Sequence, residues 1–126
     1  MSTANDAAPD PPILERAALD KVLQLGGPTL LRRLIDMFLE NAPARLERAR
    51  DAERSGALRD LEQATHSLKS TAGNLGARRL QLLSERIEGL AADGSADGVR
   101  PLMTQLDEAY TAAREALLQE RETLAS

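Results

Sequence analysis

The sequence predicts an all-α protein, an antiparallel up-down four-helix bundle with an additional short N-terminal helix. Apolar residues recur three and four positions apart through most of the chain, and no stretch shows the strict alternation typical of a β-strand. The only aromatic residues are Phe38 and Tyr110, so the core must consist of aliphatic side chains, a composition that favours helices. Short segments of turn-forming residues separate the periodic stretches, and short connections favour antiparallel neighbours. A length of 126 residues fits one domain.

The first helix is predicted over residues 13–25. Residues 1–12 precede it and consist mostly of Pro, Asp, Asn and Ala, so they bury too little apolar surface to order themselves and are predicted to be a flexible tail. Gly26 and Gly27 end the helix where backbone freedom is needed, and Pro28 opens the next one.

The second helical segment begins at Pro28 and carries an amphipathic stripe. The stripe consists of Leu31, Leu34, Ile35, Phe38 and Ala42. Pro43 interrupts it, yet the apolar positions continue through Leu46, Ala49 and Ala52. The pattern therefore predicts either one kinked helix or two helices end to end, and it does not choose between them.

Three more helical segments follow. The third runs from about residue 57 to 72, with a stripe of Leu58, Leu61, Thr65, Leu68 and Ala72, and residues 73–76 break it. The fourth has a stripe of Leu80, Leu83, Ile87 and Leu90 and ends in the turn-rich residues 91–98. The last carries Val99, Leu102, Leu106, Ala109, Ala113 and Leu117, with Pro101 in its first turn. The bundle domain is thus predicted over residues 13–120, with fraying over residues 121–126.

The composition excludes several classes of function. The chain has no cysteine and one histidine, which excludes disulfides, thiolate catalysis and Cys-rich or His-rich metal sites. It contains neither a signal-peptide pattern nor 18 consecutive apolar residues, so we expect a soluble cytoplasmic protein without a membrane partner. A net charge of -4 argues against nucleic acid as a partner.

The single histidine, His66, lies on the third predicted helix. On a helical wheel it points roughly 120° from the centre of the apolar stripe, so it should face water. The residues one and two turns later, Ser70 and Gly73, are small, which would leave room for another protein to approach the imidazole. A second interpretation of Gly73 is that it helps to end the helix, since glycine is common at helix C-termini.

Basic residues surround His66 in the sequence. No acidic residue occurs between Glu62 and Glu85, whereas Lys69 lies three positions after the histidine and could reach the outer nitrogen of its ring. This local positive window suits the holding of a phosphoryl group and docking onto an acidic partner site. The predicted partner-binding residues are Arg59, Gln63, Ser70, Gly73, Arg78 and Arg79.

An exposed imidazole is chemically suited to carrying a phosphoryl group. Near neutral pH much of it is unprotonated and nucleophilic, and the N–P bond that it forms is labile enough to pass the group onward. Transfer of this kind depends mainly on positioning and on neutralisation of charge.

The string His66-Ser67-Leu68-Lys69-Ser70 resembles the motif of the histidine-containing phosphotransfer (Hpt) domain of bacterial phosphorelays. The family pattern is His-x-Leu-Lys-Gly, then a glycine ten residues after the histidine and a leucine four further on. Gly76 and Leu80 occupy these last two positions here. Similarity in Phe38-Leu39-Glu40 and Ile87-Glu88 extends the resemblance over about residues 14 to 118. Ser70 departs from the pattern, which commonly has glycine there.

The resemblance implies that His66 receives a phosphoryl group from a phospho-aspartate on one receiver domain and passes it to a response regulator, with Lys69 assisting. It implies no ATP site and no cofactor of the chain's own, with Mg²⁺ supplied by the receiver-domain partner. A transient carrier needs its histidine face free, so a monomer is expected.

Two other readings remain open. A helical adaptor that binds receiver domains without phosphoryl chemistry would share nearly every feature except the need for His66. The dimerisation helices of a histidine kinase also carry a histidine on a helical hairpin, with a motif that resembles His-Glu-Leu-Arg-Thr-Pro. Ser67 and Thr71 stand in place of its acidic residue and proline, and the chain has no Gly-rich nucleotide-binding segment.

Overall fold

The computed structural model of the protein describes residues 10–125, and within them the regular structure is entirely helical. The elements are α1 (Arg16–Ser55), α2 (Leu58–Asn74), α3 (Arg78–Ala92), a short α4 (Ala96–Val99), a 3₁₀ turn (Arg100–Leu102) and α5 (Met103–Ala125). The predicted all-α class is confirmed.

The long helices form an antiparallel bundle. Each packs against two neighbours, α1 against α2 and α5, and α3 against α2 and α5. Ion pairs fix the antiparallel register of α1 and α5: Arg50 contacts Asp107 at 2.8 Å near one end, and Arg121 contacts Asp36 at 2.6 Å near the other. The up-down arrangement follows from the short connections between successive helices.

The first part of α1 is the predicted short N-terminal helix. Gly27 interrupts α1 with φ 70° and ψ -171°, a conformation essentially restricted to glycine. The helix begins at Arg16 rather than at residue 13 because Glu15 is extended and its N–H donates to the carbonyl of Gly76 at 2.8 Å. Gly76 has a φ of 72° and lies close to the start of α1. A Cβ at Gly76 would be 2.7 Å from the Cβ of Ala18. The N-terminal helix thus covers the turn between α2 and α3.

The helix continues through Pro43, so this part of the chain is not two helices end to end. Pro43 is exposed, which places its ring toward solvent and limits the loss to one backbone hydrogen bond.

The C-terminal helix extends to Ala125, through the residues where the sequence predicts fraying. Arg121 pairs with Asp36, and Arg32 donates to the carbonyl of Leu124 at 3.2 Å. These contacts with α1 hold the last turns of α5. Ser126 lies outside the described residues.

The predicted N-terminal tail is described only from Asp10 onward, and residues 1–9 lie outside the described part. The carbonyls of Pro11 and Pro12 accept hydrogen bonds from the side chain and the backbone of Arg79, each at 3.1 Å. This end of the predicted tail therefore contacts the start of α3.

The core is mostly aliphatic, as predicted, but it also contains the fully buried ring of Phe38. In α2 the stripe residues Leu61, Thr65, Leu68 and Ala72 are buried, and Leu58 is partly buried against them. The two aromatic rings, Phe38 and Tyr110, pack with their centroids 5.9 Å apart between α1 and α5. None of the described helices combines the length and apolar character that crossing a membrane requires.

Candidate functional site

His66 lies on the solvent side of α2, as the helical wheel predicts. Its side chain is 60% exposed, although the next residue toward the N-terminus, Thr65, is fully buried. The hydroxyl of Thr65 donates to the carbonyl of Leu61 at 2.8 Å, so this buried polar group is satisfied within its own helix. The apolar stripe therefore anchors α2 in the bundle and leaves the imidazole outside.

A carboxylate from the neighbouring helix holds the imidazole. Oε2 of Glu88 in α3 lies 2.7 Å from Nδ1 of His66. The two residues meet because α2 and α3 form an antiparallel hairpin, in which both lie eleven positions from Ala77 in the turn. Only 18% of the Glu88 side chain is exposed, so the carboxylate lies in the groove between the two helices.

The same carboxylate binds Lys69. Nζ of Lys69 lies 2.7 Å from Oε1 of Glu88, so each carboxylate oxygen has its own partner. Partial burial raises the pKa of Glu88. The hydrogen bonds from Lys69 and His66 lower it by more than burial raises it, so the net pKa lies below the ordinary value. The hydrogen bond to Glu88 in turn raises the pKa of Lys69. Near neutral pH the pair is therefore a carboxylate and an ammonium ion.

This arrangement determines which ring nitrogen of His66 can act as a nucleophile. An ionised carboxylate only accepts hydrogen bonds, so Nδ1 of a neutral imidazole must carry the proton and donate it to Glu88. The lone pair is then on Nε2, which has no hydrogen bond to any residue between Asp10 and Ala125. Glu88 thus orients the ring and directs its nucleophilic nitrogen away from the groove.

A shallow cleft adjoins His66 on the side toward the start of α2. It is lined by Arg59, Glu62, Gln63, His66, Ser67 and Glu88. Two of the predicted partner-binding residues, Arg59 and Gln63, therefore lie next to the imidazole on one surface.

The two small residues after His66 have different surroundings. Ser70 is exposed, and its hydroxyl donates to the backbone carbonyl of His66 at 3.3 Å instead of pointing to the ring. Gly73 lies beneath the side chain of Gln81, and a Cβ there would be 2.9 Å from Nε2 of that residue. Gly73 is the last residue but one of α2, which ends at Asn74. A Cβ at this position would require the end of the Gln81 side chain on α3 to move.

Two predicted partner-binding residues are engaged elsewhere. Arg78 donates to Oε1 of Gln81 at 2.9 Å, at the turn end of the hairpin. Arg79 binds the carbonyls of Pro11 and Pro12, and it lies nine positions before Glu88, on the opposite side of α3. The structure therefore brings neither residue to the imidazole.

The prediction of a positive window around His66 is wrong in one respect, because the carboxylate of Glu88 lies within it. The sequence between Glu62 and Glu85 lacks acidic residues, but α3 folds back and places a carboxylate against both His66 and Lys69. Lys69 consequently contacts this carboxylate rather than the outer nitrogen of the ring, and its predicted assistance to a phosphoryl group stays a prediction. Sequence reasoning gave Glu88 no role, although equal spacing from the turn could have indicated it.

Among the described residues, no group of three His, Cys, Asp or Glu side chains is placed to hold a metal ion. The site consists of the exposed Nε2 of His66 and the carboxylate of Glu88, which orients the ring. Two cations, Lys69 and Arg59, lie on the same surface.

The chain is similar to known proteins in sequence and in fold. The family model described as Hpt domain matches residues 33–116, more than half of the chain. Among solved structures, the fold is similar to that of histidine-containing phosphotransfer protein B (HptB) from Pseudomonas aeruginosa PAO1. That comparison has a TM-score of 0.83 at 24% sequence identity and covers 89% of this chain and 96% of the other. No curated protein matches the chain.

The resemblance drawn from the His66 motif is confirmed, and with it the helical bundle. The matched region includes α2 and α3 whole, and therefore the histidine, the lysine and the carboxylate of the site. The chain belongs to the Hpt domain family, whose members are phosphocarriers in histidine phosphotransfer.

Proposed function

We propose that His66 accepts a phosphoryl group on Nε2 from a phospho-aspartate of a receiver domain and returns it to an aspartate of a response regulator. The observation that carries this proposal is the pairing of Nδ1 with Glu88, because it leaves the lone pair on the exposed Nε2. Any Mg²⁺ that the transfer requires would be bound by the receiver domain.

The transfer balances without a further reactant. The lone pair on Nε2 forms the N–P bond while the P–O bond to the aspartate breaks and the carboxylate leaves with its electron pair. The proton on Nδ1 remains in place, so the imidazole ring becomes positively charged. Glu88 lies 2.7 Å from Nδ1 and offsets that charge. In the return step a carboxylate oxygen attacks phosphorus, and the ring leaves as the neutral tautomer that Glu88 already favours.

The test is transfer of label from receiver domains. Receiver domains of the source organism are phosphorylated with radiolabelled acetyl phosphate and mixed with the wild-type protein or with His66→Gln. We expect label on the wild-type chain and none on the variant. Because His66 is exposed, the substitution should leave the fold intact, and circular dichroism of the variant checks this.

Three outcomes would contradict the proposal. Equal labelling of both proteins would place the phosphoryl group elsewhere, and binding of receiver domains without any labelling would favour the adaptor reading. The third outcome comes from incubation of the protein with labelled ATP alone, because autophosphorylation would favour the hypothesis of a histidine kinase fragment.

A further inference from the structure

The charges beside His66 do not all remain available to a partner. The ammonium of Lys69 and the carboxylate of Glu88 lie 2.7 Å apart and largely cancel each other at a distance. Lys69 is also less exposed than His66, with 28% of its side chain accessible against 60% for His66. The resting site around the imidazole is therefore close to neutral.

Arg59 is the other cation on this surface, and it is not part of that charge pair. It lies seven positions before His66, which places it on the same face of α2 about 10 Å along the helix axis. Its side chain is exposed and makes no hydrogen bond or ion pair with any of residues 10–125. Glu62 lines the same cleft without pairing with it.

The position of Arg59 limits what it can do. Two helical turns from His66, Arg59 lies at the edge of the site rather than beside the imidazole. It is near enough to contact groups that surround the phosphoryl donor. An acyl phosphate and the carboxylates beside it are anionic, and a guanidinium binds carboxylate or phosphate oxygens in a bidentate manner.

We propose that Arg59 captures an acidic group on the phosphoryl-bearing face of the partner and acts on association rather than on the transfer step. This inference rests on the proposed function of His66. It assigns partner recognition to a residue before the histidine, whereas the family-like motif lies after it. Arg59 is thus a positioning residue for the partner, and Lys69 belongs to the internal charge pair.

The test compares Arg59→Gln with a charge-matched control, Arg86→Gln. Arg86 is exposed on the side of α3 that faces α5, in the cleft with Arg79 and Leu82, so its loss changes the net charge equally but away from His66. Transfer from labelled receiver domains is followed by rapid quench at increasing concentrations of the chain. This separates the bimolecular rate constant from the limiting rate at saturation.

We expect Arg59→Gln to lower the bimolecular rate constant about fivefold at low ionic strength, with the limiting rate within about twofold of wild type. The defect should shrink toward zero near 0.5 M salt, where charges a few ångströms apart are already screened. Arg59→Lys should recover part of the rate, and Arg86→Gln should behave as the wild type does.

The alternative outcomes are distinct. An equal loss in Arg86→Gln would mean that net charge alone governs association, and an unchanged bimolecular rate constant in Arg59→Gln would remove Arg59 from the interface. A fall in the limiting rate would place Arg59 in the transfer step. Absence of label on the wild-type chain from every receiver domain would overturn the proposed function, and this inference with it.

Discussion

The carboxylate of Glu88 lies 2.7 Å from Nδ1 of His66, although the two residues are 22 positions apart in the chain. The same carboxylate binds Lys69 through its other oxygen. One side chain of α3 therefore orients the imidazole, sets its tautomer and takes up the lysine that the sequence motif places beside it.

Replacement of Glu88 by glutamine should slow phosphoryl transfer about tenfold, which corresponds to about 1.4 kcal/mol in the barrier. Glutamine keeps the shape of the side chain, but it is neutral and can present either a donor or an acceptor to Nδ1, so the tautomer is no longer fixed. Rapid-quench kinetics measures the rate, and ¹⁵N NMR of the imidazole reports the proton position.

The matched control is Glu85→Gln, which removes the same charge one turn earlier on α3 without a contact to His66. A comparable loss of rate in both variants would mean that general electrostatics, and not the hydrogen bond to Nδ1, is responsible. A neutral imidazole that carries its proton on Nε2 in the wild type would contradict the assignment directly.

The lowered pKa of Glu88 predicts a pH dependence of stability. A carboxyl group with a folded pKa below its unfolded value, about 4.3 for glutamate, stabilises the fold above that value. The contribution is lost as the pH falls through the folded pKa. The free energy of unfolding of the wild type should therefore exceed that of Glu88→Gln most clearly above pH ~5, and the difference should shrink below pH ~4. Urea titrations at several pH values measure it, and a constant difference would show that Glu88 has no shifted pKa.

Gly73 and Gly89 offer a comparison of two helical glycines. Alanine should stabilise an open helical position by about 1 kcal/mol, and a Cβ at Gly89 meets nothing within 4 Å. At Gly73 the same Cβ would approach Gln81, which must move and weaken its hydrogen bond with Arg78. We therefore expect Gly89→Ala to gain about 1 kcal/mol and Gly73→Ala to gain less, by urea denaturation.

A double variant checks the cause of that difference. Gly73→Ala combined with Gln81→Ala removes the obstacle and should recover the gain that Gly73→Ala lacks. If Gly73→Ala alone is as stabilising as Gly89→Ala, the packing of Gln81 is not what selects glycine here.

Gly76 should tolerate alanine less well than Gly56 does. Both have positive φ values, 72° and 76°, for which a side chain costs about 1–2 kcal/mol. A Cβ at Gly56 would meet open space, whereas at Gly76 it would lie 2.9 Å from the carbonyl oxygen of Glu15. Crowding of this kind adds about 1–3 kcal/mol, so the loss on Gly76→Ala should be about twice that on Gly56→Ala. Urea denaturation measures the free energy of unfolding of both variants. Equal losses would mean that the N-terminal helix moves away from position 76 at no cost in free energy.

The sequence was sufficient for the helices and for the exposure of His66. Periodicity within one helix reports which face is buried, and in α2 it correctly separated Leu61, Leu68 and Ala72 from the imidazole. The break at Gly27 was also predictable, since two glycines before a proline are a strong stop signal.

The partner of the imidazole was not predicted, because periodicity carries no information on the register between helices. Glu88 meets His66 only because the turn at Leu75 to Ala77 fixes how α3 lies against α2. The same register places Gln81 over Gly73, which the sequence suggested as a docking surface. The prediction that Arg79 lies near His66 is wrong for a similar reason. Arg79 is close to His66 in sequence, but it lies on the far side of α3.

The brief turn between α2 and α3 also bears on the order in which the protein folds. The contact between His66 and Glu88 closes 22 positions of chain, whereas α5 joins α1 through contacts that close 57 and 104 positions. Closing a shorter loop loses less chain entropy, and structures with low contact order form fastest. We therefore expect the hairpin of α2 and α3 to assemble before the C-terminal helix closes the bundle around it.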